Sequence, residues 1–133
     1  MQRRFILAVG ILVLLTVTWA WTQAPVSVPK YDLAHEVTIK GVVQEVKDFQ
    51  CPVSGGMGAH LVVKTSDKNI VTVHLALSKF LSDYGFNFAK GDEVEIVGAK
   101  AKVGDDDNAI LARKIERGNQ TFIFRDKNGK PLW

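Results

Sequence analysis

Residues Cys51–Leu75 read CPVSGGMGAHLVVKTSDKNIVTVHL, a glycine-rich segment running into two alternating apolar runs. His60 to Thr65 and Ile70 to Leu75 flank Ser66-Asp67-Lys68-Asn69, the composition of a hairpin connection. Side chains alternate along a strand, so Leu61, Val63, Val71, Val73 and Leu75 share one face, assigned to the core. His60, Val62, Lys64, Thr72 and His74 fall on the other face, expected to point outward. There His60 and His74 become near-diagonal neighbours on adjacent strands.

Upstream, Val37 to Lys47 alternates until Gly41, after which Val42, Val43 and Val46 lose a common parity. A glycine where the alternation slips predicts a bulged, curved first strand. Residues 48–59 are expected to form a glycine-rich loop, and 25–36, with two prolines, an extended lead-in. Downstream, Ala76 to Tyr84 is the best helix candidate, with Ser78 able to cap it and Gly85 to stop it. Phe86 and Phe88 are expected to plug one end of the core. Glu93 to Lys100, Ala109 to Arg117 and Thr121 to Arg125 are further strands, separated by turn signals at 104–108 and 118–119.

This order, three strands, a short helix and more strands, predicts an all-β protein with one short helix. The segments VTIKGVVQEV, HLVVK, VTVHL, GDEVEIVGA and AILARKI together resemble the OB-fold, a five-stranded partly open Greek-key barrel. The resemblance spans residues 36–118 and leaves 119–133 as a C-terminal hairpin arm. In particular the chain is similar to small exported bacterial OB-fold proteins of largely unassigned function. It implies a fold and no single activity, because this fold hosts oligonucleotide, oligosaccharide, protein and metal partners. An open β-sandwich is the rival architecture.

Residues 1–24 carry the secretory pattern: a basic start at Arg3-Arg4, an apolar run from Phe5 to Trp21, then small residues. The expected organisation is a signal peptide or membrane anchor at 1–24, the lead-in at 25–36 and one domain over 37–133. The localisation that follows is extracytoplasmic, periplasmic or secreted, with residues 5–21 as the only means of membrane attachment. The whole chain has 17 Lys+Arg against 14 Asp+Glu. Two of the basic residues lie in the leader, so the remainder is nearly neutral. That argues against nucleic acid as a partner, since counterion-releasing binders carry a basic excess.

The donor types cluster. Cys51, the only cysteine, together with Met57, His60 and His74 offers thiolate, thioether and imidazole, a soft set suited to copper. The spacing matches no specific metal motif, and no C-x-x-C-H haem motif is present. The bland reading beside it is a small buried cysteine, a packing methionine and two ordinary strand histidines. Arg113, Lys114, Arg117 and Arg125 form a candidate anionic-ligand patch, for which a solvated strand face is the plainer explanation. Ser54 lacks the G-x-S-x-G context of a nucleophile, and no other catalytic motif stands in the chain.

The leading expectation is a non-enzymatic binding or accessory module. It would take a small ligand or protein on the face His60, Val62, Lys64, Thr72 and His74 and on the Cys51–His60 loop. A periplasmic copper-type metal binder is the second expectation. An oligonucleotide or oligosaccharide binder is the third, weakened because no Trp, Tyr or Phe lies on those two strands.

Overall fold

The computed structural model describes Trp21 and residues 28–133, so nearly all of the expected leader lies outside the described residues. A one-turn 3-10 helix, Leu33–His35, is capped by Asp32. It is followed by β1 (Glu36–Cys51), β2 (Gly56–Thr65), β3 (Ile70–Leu77), α1 (Ser78–Tyr84), β4 (Glu93–Val103), β5 (Asp106–Arg117) and β6 (Gln120–Ile123). The sheet order is β3-β2-β1-β4-β5-β6 with antiparallel neighbours throughout. Alternating directions make the first and fifth members of that order run the same way. Their closure must therefore be parallel, and Thr72, Val73 and His74 of β3 pair with Ala109, Ile110 and Leu111 of β5. This short seam turns five strands into a partly closed ring. The expected all-β class with one short helix is what the chain adopts.

The ring encloses the core predicted from alternation. Leu61, Val63, Val73 and Leu75 are buried with Val43, Val94, Ile96 and Ile115, and Val71 packs at the margin. Phe86 and Phe88 close one end, as expected, against Phe122 and Phe124. The C-terminal arm is β6 plus a bridge between Arg125 and Pro131.

Three local expectations are corrected. First, the glycine-rich segment 48–59 is mostly strand: β1 runs on to Cys51, β2 starts at Gly56, and only residues 52–55 turn. Gly55 turns the chain at φ 79°, and Gly58 meets a need for space. A Cβ on Gly58 would run into the Ser54 side chain and come within 3.2 Å of the His60 ring.

Second, the β1 bulge lies between Val43 and Glu45, where the register to β2 slips, and not at Gly41. Gly41 is required by close approach, since a Cβ there would sit 2.6 Å from the Lys64 carbonyl oxygen. Third, Ser78 does not cap α1. Its hydroxyl donates to Asp48 at 2.7 Å, while Gly85 does terminate the helix in the left-handed conformation.

Candidate metal centre

The extension of β1 beyond residue 47 builds the site. Lys47, Phe49 and Cys51 alternate onto the same face as His60, and β2 sets His60 directly opposite His74 on β3. The pair is cross-strand, closer than the near-diagonal arrangement expected. Their rings meet edge to face with centroids 4.6 Å apart. Cys51 Sγ lies 3.3 Å from His74 Nδ1. One donor atom from each of Cys51, His60 and His74 falls within 4.8 Å of the others.

The outward, solvated face expected for the histidines is not what forms. His60 is 1% exposed, His74 5% and Cys51 4%. Phe49 lies flat on His60, centroids 3.6 Å apart and planes 8° from parallel. Val62 and Thr72 are half-buried and Lys64 is exposed, so the five residues share a face without making an open platform. Met57 does not join the other three. It pairs with Gln50 in unbroken register, which turns its side chain to the face opposite His60, and it is 45% exposed.

The turn beneath the site is tied down. Ser54 Oγ lies within hydrogen-bond distance, 3.2 Å, of the carbonyls of Cys51 and Gly56, and Trp133 Nε1 donates to the Ser54 carbonyl at 3.1 Å. Ser54 is thereby a structural residue of the turn. A shallow depression of about 300 Å³, lined by Gln50, Cys51, Pro52, Gly55 and Gly56, opens beside Cys51. Two larger cavities, about 620 and 610 Å³, lie along β1 and the β2–β3 turn, and none of the three donors lines either one.

Burial, and then the nearness of His74, pushes the His60 pKa down to about 4. His74 is lowered too, chiefly by burial. Both imidazoles are therefore neutral near pH 7 and keep a lone pair free for an ion. His60 Nδ1 is buried and has no hydrogen-bond partner among the described residues. Leaving such a group unsatisfied costs about 1–3 kcal/mol.

The low His60 value has a consequence for the metal-free protein. The unfolded chain takes up its proton at the ordinary value of 6.5 and the folded chain only near 4, so acid favours unfolding across that window. The urea midpoint, measured with a chelator present, is expected to fall as pH drops from about 6.5 to about 4. His60→Gln should flatten that part of the profile; an unchanged slope in the variant would refute the assignment.

The basic patch is corrected as well. Arg113 donates to both Glu36 oxygens, at 2.9 and 3.0 Å, and Lys114 pairs with Glu116. Arg117 bonds Asp92 and the Asn87 carbonyl, with its guanidinium over the Phe88 and Phe122 rings. Arg125 is buried between the Tyr31 and Trp133 rings. Arg113, Arg117 and Arg125 tie separate strands and loops together, Lys114 pairs within β5, and the four form no common anion site. Phe49 is the site residue that composition hides, although its alternation with Lys47 and Cys51 would have placed it beside the histidines.

The model of the MamS/MamX magnetosome protein family matches residues 35–122, more than half of the chain, and the chain belongs to that family. No curated protein and no solved structure matches it.

Proposed function

We propose that this member of the MamS/MamX magnetosome protein family is a non-catalytic, extracytoplasmic accessory protein that binds one transition-metal ion through Cys51, His60 and His74. The observation that carries this reading is the convergence of a thiol and two neutral imidazoles in a buried spot, with one ring nitrogen left without a partner among the described residues. Thiolate and imidazole are ligands of late transition metals. Burial beside Phe49 limits solvent access, which favours retention of an ion.

An enzymatic thiol–imidazole pair is the natural rival, given the 3.3 Å contact of Cys51 with His74. It is disfavoured because Cys51 is buried and only a shallow depression adjoins it, leaving little room for an organic substrate. Docking of an oligonucleotide or saccharide on the β2–β3 face gains no support. Phe49, the aromatic ring there, is already committed to stacking on His60.

The test is equilibrium dialysis of metal-free protein against Zn(II), Co(II), Fe(II) and copper, one at a time. One equivalent of at least one ion is expected to bind. At a free concentration of about a hundred times Kd, binding adds about 2.7 kcal/mol of stability. For a domain of this size that raises Tm by roughly 10–20 °C. Protein that takes up no ion in stoichiometric amount, with an unchanged Tm throughout, would refute the reading.

A further inference from the structure

We infer that the ion this site is built for is monovalent, cuprous copper. The inference rests on the metal-binding reading and deepens it by naming the ion. Its basis is the charge of the donor set. Among the described residues, Cys51, His60 and His74 are the only ionisable donors that converge there, and no carboxylate joins them.

The two acids whose charge reaches the histidines are Asp48, felt by His60, and Asp106, felt by His74. Both keep their charge but stay outside the donor set. Asp48 accepts the Ser78 hydroxyl and Asp106 accepts the Asn108 amide. A cysteine thiolate with two neutral imidazoles carries a single negative charge. A cuprous ion cancels it, whereas any divalent ion leaves one positive charge in a buried site. Uncompensated buried charge is strongly disfavoured.

The surroundings sharpen the penalty. Leu111, the register partner of His74 on β5, and neighbouring Ala109 are fully buried, and Phe49 covers His60. Coordination number points the same way. Ser54 Oγ is turned to backbone carbonyls and Met57 lies on the opposite face, so among the described residues three side-chain donors are in place and a fourth is not. Thiolate suits both zinc and cuprous copper, but zinc in closed protein sites takes four ligands, so the count of three separates them.

The 3.3 Å separation of Cys51 Sγ from His74 Nδ1 lies a few tenths of an ångström inside the ~3.7 Å that a trigonal ion sets between donors at about 2.3 and 2.0 Å, so a small outward shift of the two side chains admits it. Binding forms the sulfur–copper bond as the thiol proton leaves to solvent. The site gains and loses one positive charge, and no electron moves.

The experiment is an anaerobic titration of the metal-free full chain with Cu(I), buffered by the chromophoric chelator bathocuproine disulfonate. Parallel titrations use Zn(II) and Co(II). One Cu(I) per chain is expected, bound at least ~10³-fold more tightly than either divalent ion. Copper-edge X-ray absorption should show one sulfur and two nitrogen neighbours. Divalent binding as tight as Cu(I), or a four-coordinate copper, overturns the cuprous inference and leaves the metal-binding reading standing. Absence of binding by all three ions overturns the cuprous inference, and overturns the metal-binding reading too when Fe(II) also fails to bind in the dialysis.

Discussion

Cys51→Ser is expected to weaken metal binding by at least about a hundredfold while leaving the metal-free fold almost unchanged. The thiol is the sole soft, chargeable donor in the site, and serine cannot supply an anion at neutral pH. Serine does preserve size and can hydrogen-bond His74 Nδ1 in place of the 3.3 Å Cys51 contact. The metal-free variant should therefore unfold within about 1 kcal/mol of the parent. A competition titration read against urea unfolding separates the two effects. Retention of parental affinity by Cys51→Ser would remove Cys51 from the ligand set. Equal losses in the metal-free fold would make it a packing residue instead.

The strength of that prediction depends on burial, which is where sequence and structure part company. The alternation of Leu61, Val63, Val73 and Leu75 was readable because period-two patterning reports directly on one buried face. The shared face of His60 and His74 was readable for the same reason. Their burial was not, because it depends on β1 continuing through a segment whose glycines look like a loop. Gly58 is there because the turn folds back onto it through Ser54, a cause that composition cannot distinguish from flexibility.

The basic residues misled for a related reason. Arg113 and Arg117 resemble a patch in sequence, but their acidic partners Glu36 and Asp92 lie 77 and 25 residues away. Pairing at that separation is set by strand order, and strand order is not written in local pattern. The closing seam between β3 and β5 is hidden likewise, although its parallel sense follows once five alternating strands are counted.

The largest stability effect should come from the arm. Phe124→Ala is expected to cost about 3–5 kcal/mol, the range for removing a fully buried aromatic ring. Phe124 is 0% exposed and heads the largest fully buried side chains, yet it lies just beyond the residues matched by the family model. It meets Phe86 edge-on at 5.9 Å. Its amide donates to the Arg113 carbonyl at 2.8 Å, and its own carbonyl accepts from Leu132. The arm therefore completes the core. It also reaches the metal turn, since Trp133 bonds the Ser54 carbonyl and packs near Phe80 of α1.

Such a loss corresponds to a Tm drop of roughly 15–30 °C for about 100 residues, a large share of a domain's usual 5–15 kcal/mol. Ile123→Ala is the matched control. Its side chain is 48% exposed on the adjoining position, so its loss should stay near 0.5 kcal/mol. Comparable shifts in the two variants would show the arm to be an appendage. A large shift confined to Phe124→Ala would make residues 119–133 part of the folding unit that holds Cys51, His60 and His74 in place.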